Sequence, residues 1–149
     1  MKRGHRNVPI RFDDIQVGHR EEFTEKITLD RHRAFSELFE DFSPVHVDEG
    51  YCKQTSFGKI IGYGFMLTGF LSKLYGEYLP GGNSICLKQE SRFIKPFYIG
   101  DEISIAGEVM SKTASTRVVE IKTEMRRNGD ELIFKGVGTV QILPPFTNR

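Results

Sequence analysis

Leu67, Phe70, Leu71, Leu74, Tyr75 and Tyr78 recur at i, i+3, i+4, i+7, i+8 and i+11, one face of an α-helix and the clearest periodicity in the chain. Gly62 and Gly64 precede this segment, and Pro80, Gly81 and Gly82 end it. The other face carries little charge: between Phe65 and Leu79 only Lys73 and Glu77 are ionised. A helix this apolar would leave too much hydrophobic surface in water if it lay on the outside of a domain. It is expected to be wrapped by other structure.

From Ser84 onward the period falls to two. Ser84–Phe93 reads as a strand, and Lys95-Pro96 through Gly100-Asp101 as a break. Glu102–Val109 places Ile103, Ile105 and Val109 on one face, and Arg117–Arg127 does the same for Val119, Ile121 and Met125. Asn128-Gly129-Asp130 then supplies a hairpin turn. Glu131–Leu143 puts Leu132, Phe134, Val140 and Ile142 on one side, with Gly136 and Gly138 between them to admit a closely packed helix. Upstream, Phe23–Leu29 reads as a strand and Asp30–Phe39 as a short helix carrying Phe35, Leu38 and Phe39 at helical spacing. Asp41–Gly58 reads as irregular. One strand, an apolar helix and a meander of four strands predict an α+β fold, with an antiparallel sheet curled around the helix.

At 149 residues the chain is expected to fold as one domain over residues 12–149, behind a basic tail, residues 1–11, that holds four Lys or Arg and no acid. A formal net charge of +1 sets up no field to attract nucleic acid, and the twelve Phe are spread over strands and helix rather than forming a base-stacking platform. The N-terminus lacks the apolar stretch of a signal peptide. With no apolar run of about 18 residues either, no membrane span is expected and a cytoplasmic location follows. Cys52 and Cys86, 34 residues apart without a CxxC, are expected to be reduced thiols. His5, His19 and His32 lie in polar surroundings without ligand spacing and are expected at the surface. No metal and no cofactor are therefore expected. Arg126-Arg127 and Lys122 read as a solvated strand end rather than an anion site.

The chemistry concentrates in Asp41-Phe42-Ser43-Pro44-Val45-His46, which sets a carboxylate and an imidazole five residues apart on a chain stiffened by proline. Their ordinary proton affinities differ by more than about two units, so one group can take a proton while another delivers one, as adding water across a double bond requires. At Gly62-Tyr63-Gly64-Phe65-Met66 a glycine turn feeds the apolar helix. Free N–H groups at that helix start suit a developing oxyanion, and Gly64 has no side chain to block a carbonyl oxygen.

Asp41–His46, the Tyr63-Gly64 turn, the helix Met66–Leu79, and Arg92-Phe93-Ile94-Lys95-Pro96 running into Gly100-Asp101-Glu102 occur in one order at compatible spacing. Together they resemble the MaoC-like hydratase/dehydratase family, over roughly Phe12 to Leu143. The resemblance implies a hotdog fold, a homodimer, and activity like that of an (R)-specific enoyl-CoA hydratase on a coenzyme A or acyl-carrier-protein thioester. It implies Asp41 and His46 as the catalytic pair and Gly64 as the oxyanion donor, with Ser43 and Tyr63 beside them at the oxyanion or the substrate. Three residues depart from the family pattern. Ser43 stands where Asn is usual, Tyr63 where His commonly precedes the glycine, and Glu40 where Gly is frequent. A non-catalytic acyl-thioester-binding subunit and a hotdog thioesterase are the alternatives.

Overall fold

The computed structural model describes residues 10–145, so His5 and most of the basic segment 1–11 lie outside the described residues. A short 3-10 turn, Phe12–Asp14, leads into strand β1, Arg20–Lys26. Helix α1, Leu29–Phe39, starts at Thr28, whose hydroxyl accepts the Arg31 N–H. Two single-turn helices follow, α2 at Pro44–Val47 and α3 at Glu49–Cys52. They occupy the segment expected to be irregular. Proline at the first helical position and Asp48 capping the Tyr51 N–H are what make such short turns hold.

Helix α4, Gly64–Lys73, carries the apolar face and widens into a π-turn over Leu74–Tyr78, where the Leu79 N–H reaches back to the Leu74 carbonyl. Strands β2, Ser84–Phe93, β3, Glu102–Thr113, β4, Val118–Arg127, and β5, Glu131–Ile142, complete the chain. All pairings are antiparallel, in the order β1-β3-β4-β5-β2.

The sheet curls around α4 and its π-turn. Tyr78 stacks on Phe23 of β1 at 4.6 Å between ring centroids, Leu74 lies over Gly107 of β3, and Tyr75 lies over Gly138 of β5. A Cβ on Gly138 would sit 2.1 Å from the Tyr75 hydroxyl, so only glycine lets the helix come this close. The core under it is mostly apolar, with Leu67, Leu71, Leu74, Ile103, Ile105, Val119, Ile121, Met125, Phe134 and Val140 all buried.

Four local expectations need correction. The first strand begins and ends three residues earlier than periodicity suggested. On α1 it is His32 and Ser36 that are buried, while Leu38 and Phe39 are 74% and 62% exposed. His32 is thus an interior residue. In β5, Met125 pairs with Phe134 but Arg126 pairs with Leu132, so Ile133 is an extra residue. This bulge inverts the alternation and sends Ile133, not Leu132, into the core. Two smaller expectations agree with the structure. Cys52 is buried and Cys86 exposed, both as free thiols. Arg127 is tied to Asp101 and Glu131, and Lys122 pairs with Glu124, as befits a solvated strand end.

Candidate active site

Helix α1 stops at Glu40, whose φ of 54° is left-handed. That backbone turns the chain out of the helix and brings Asp41 back against it, and it explains why a glycine suits this position. The left-handed backbone costs a non-glycine residue about 1–2 kcal/mol, while glycine loses roughly 0.5–1 kcal/mol more backbone entropy on folding. Glu40→Gly is therefore expected to gain up to about 1 kcal/mol, seen as a raised midpoint in thermal unfolding.

The Asp41 carboxylate is held by its own loop. Its Oδ1 accepts the Ser43 N–H at 3.0 Å and the Ser43 O–H at 2.5 Å, an Asx-turn reinforced by the hydroxyl. These bonds lower the carboxyl from its ordinary aspartate value, so it is ionised at neutral pH. Pro44 opens α2, the His46 N–H bonds the Ser43 carbonyl at 2.8 Å, and the imidazole comes round to Ile61. His46 Nδ1–H donates to the Ile61 carbonyl at 2.9 Å, which assigns the proton to Nδ1 and leaves Nε2 with its lone pair. Ile61 is itself anchored, its N–H bonded to the Val45 carbonyl and its strand bridged to Tyr98.

Behind the pair lies Tyr63, 2% exposed, with its ring centroid 4.1 Å from that of His46 and 4.7 Å from that of His32. Its hydroxyl contacts Ser36 Oγ and the Asp41 carbonyl, each at 2.6 Å. Burial pushes this phenol up, so it remains a donor. Tyr63 and Ser43, expected at the oxyanion or the substrate, are both engaged with Asp41 instead. Gly64 is the first residue of α4, and a Cβ there would press on Phe93 at 3.2 Å.

Asp41 and His46 line two different concavities. An apolar groove of about 730 Å³ runs between α1 and α4, lined by Phe35, Phe39, Phe65, Met66 and Phe70, with Asp41 in its wall. A more polar pocket of about 510 Å³ on the other side of α1 takes in His32, Ser36, Phe42 and His46. No cluster of metal-ligating side chains occurs among the described residues.

Sequence reasoning missed His32 and Ser36. His32 Nε2–H donates to the His46 carbonyl at 2.8 Å, and Nδ1 is buried with no partner. The signal was their spacing of four, which puts both on one face of α1. Burial lowers the His32 pKa from 6.5. Protonation would add a buried N–H with nothing to receive it. The unfolded chain then binds more protons than the folded one below pH 6.5, so this contribution to stability is full above 6.5 and is lost as pH falls. The unfolding midpoint of the wild type should fall more steeply than that of His32→Gln as pH is lowered through this range; parallel curves would refute it.

With that geometry in place, the likeness to known proteins is specific. A family model described as a MaoC like domain matches residues 14–130. An (R)-specific enoyl-CoA hydratase of Aeromonas caviae is 30% identical over 128 residues, which cover 86% of this chain and 96% of that protein. A 3-hydroxybutyryl-CoA dehydratase of Methylorubrum extorquens is 28% identical over 131 residues, 88% of this chain and 83% of that protein. Among solved structures, an (R)-hydratase of A. caviae involved in PHA biosynthesis superposes with a TM-score of 0.82 at 29% identity, covering 87% of this chain and 98% of its own. An unliganded R-hydratase of Pseudomonas aeruginosa gives 0.84 at 25% identity, covering 95% and 97%. The sheet order, the central helix and these superpositions agree on the α+β hotdog fold. The chain belongs to the MaoC-like family.

Proposed function

We propose that this protein adds water to, or removes it from, an enoyl or 3-hydroxyacyl thioester, in the manner of an (R)-specific enoyl-CoA hydratase, with Asp41 and His46 as its acid–base pair. The observation that carries the reading is the state of the pair. Asp41 is held ionised by Ser43, and His46 is held in the one tautomer that leaves Nε2 free. Both then act as acceptors for a single water. As the water oxygen bonds Cβ, His46 Nε2 takes the proton and the double-bond electrons move toward the thioester carbonyl. The Gly64 N–H meets the charge on that oxygen, at the positive end of α4. The imidazolium, stabilised by Asp41, returns the proton to Cα, and the sum is one water gained. Ser43 and Tyr63 serve this site by holding Asp41.

A short trans-2-enoyl-CoA is expected to lose its conjugated enoyl absorbance on incubation with the protein, with no thiol released. Release of free thiol would instead indicate a thioesterase. Binding without either signal, across a panel of enoyl and 3-hydroxyacyl chains from coenzyme A and carrier protein, would leave an acyl-thioester-binding subunit.

The same reading takes residues 12–149 as a single domain that works as a homodimer in the cytoplasm. Strand β2 supports the dimer: it is a sheet edge, and Ile85, Leu87 and Phe93 on it are 43%, 54% and 46% exposed. No helix of the described residues is long and apolar enough to cross a membrane.

A further inference from the structure

Each of the two proposed reacting residues has its main-chain carbonyl gripped by a buried side chain from outside their loop. The Tyr63 O–H reaches the Asp41 carbonyl at 2.6 Å, and the His32 Nε2–H reaches the His46 carbonyl at 2.8 Å. The two grips are one unit. Tyr63 and His32 pack ring to ring, and Ser36 touches both, its Oγ 2.6 Å from the Tyr63 oxygen and 3.1 Å from the His32 carbonyl. Tyr63 and Ser36 have one hydroxyl proton apiece. The arrangement that satisfies the Asp41 carbonyl has Tyr63 donating to it and Ser36 donating to Tyr63. Ser36 can also turn to the His32 carbonyl.

We infer that His32 and Tyr63 are positioning residues: a buried polar clamp, joined through Ser36, that fixes the spacing of Asp41 and His46 through hydrogen bonds to their backbone carbonyls. The inference rests on the hydratase reading for its consequence, not for its geometry. Asp41, Ser43 and Pro44 take little part in the core, and Phe42 is 58% exposed. The loop is therefore held mainly by hydrogen bonds: Ile61 and Cys52 fix its Val45–His46 end, and the two bonds from Tyr63 and His32 add a grip on the carbonyl of each reacting residue. They also account for a histidine and a serine on the inward face of α1, where apolar side chains would pack without needing partners. Tyr63 also packs its ring on the His46 imidazole, but neither clamp residue is asked to bind substrate, so substrate affinity should be indifferent to loss of their donors. The chemical step should not be, because misplacing reacting groups by about 1 Å can cost on the order of 100-fold.

The test pairs each deletion with a variant that keeps the donor. Tyr63→Phe removes only the hydroxyl. His32→Leu removes the donor, whereas His32→Gln keeps an amide N–H close to the position of Nε2. On a short trans-2-enoyl-CoA, Tyr63→Phe and His32→Leu are expected to lower kcat about 10- to 100-fold with KM within about threefold, while His32→Gln stays within about threefold of wild type. A second readout needs no turnover. Long-range proton–nitrogen spectra of the His46 ring should show the single Nδ1–H tautomer in wild type and His32→Gln. Exchange between tautomers is expected in His32→Leu, as the ring loses register with the Ile61 carbonyl. Wild-type kcat in Tyr63→Phe or His32→Leu overturns the clamp. So does a loss borne by KM, equal loss in His32→Gln and His32→Leu, or an unchanged His46 spectrum in folded His32→Leu. A wild type that turns over nothing, with the spectra behaving as stated, sinks the hydratase reading and leaves the clamp standing.

Discussion

Asp41→Asn and His46→Asn are each expected to lower kcat on a short trans-2-enoyl-CoA by about 100- to 10,000-fold, the usual weight of a positioned acid–base group. The substitutions are chosen so that the fold survives. Asparagine at 41 keeps an oxygen to accept the Ser43 N–H and O–H, and loses only the charge. Asparagine at 46 places an amide N–H where Nδ1–H now donates to the Ile61 carbonyl, and has nothing at Nε2. Thermal midpoints should therefore stay near that of wild type while turnover collapses. The double variant should lose about as much as the worse single one, because the two groups act on one water. Multiplying losses would mean they serve separate steps, and wild-type-like turnover in either single variant would remove the pair from the mechanism.

How far the sequence could be read follows the physics of each element. The helix over Leu67–Tyr78 and strand β4 were legible because their burial follows their periodicity, and the other strands because breaks and a hairpin turn bound them. Leu132 was misplaced because a bulge shifts the alternation without altering composition. Helix α1 was misread on its face for a different reason. Its interior positions are His32 and Ser36, polar residues that are buried because they hydrogen-bond inward, and Leu38 and Phe39 are exposed near the groove. Hydrophobic pattern cannot register that inversion. In the site, Asp41, His46 and Gly64 could be picked out by residue type and order. What Ser43 and Tyr63 do could not, since it depends on which atom faces Asp41. The Glu40 departure has a backbone explanation that no side-chain argument supplies.

Gly64→Pro is expected to cost about 100- to 1,000-fold in kcat relative to Gly64→Ala, the scale on which one oxyanion donor is worth measuring. The comparison removes the N–H and puts the proline ring carbon in its place. Gly64 is the first residue of α4, where a helix has no internal use for the N–H and where proline is well tolerated. Tyr63 before it is already extended, with φ −74° and ψ 118°, the backbone a following proline demands. Both variants add a Cβ against Phe93, which is 46% exposed and free to yield by the few tenths of an ångström required. They share the added Cβ and the lost glycine freedom, and they differ in the amide nitrogen, which in proline carries Cδ instead of a proton. If the charge on the thioester oxygen is met at this amide, alanine keeps most of the rate and proline does not, with KM little changed in either. Equal activity in the two variants would mean that another donor faces the oxygen and that the start of α4 is only a turn. A proline variant that melts well below the alanine one would show instead that this N–H supports the fold.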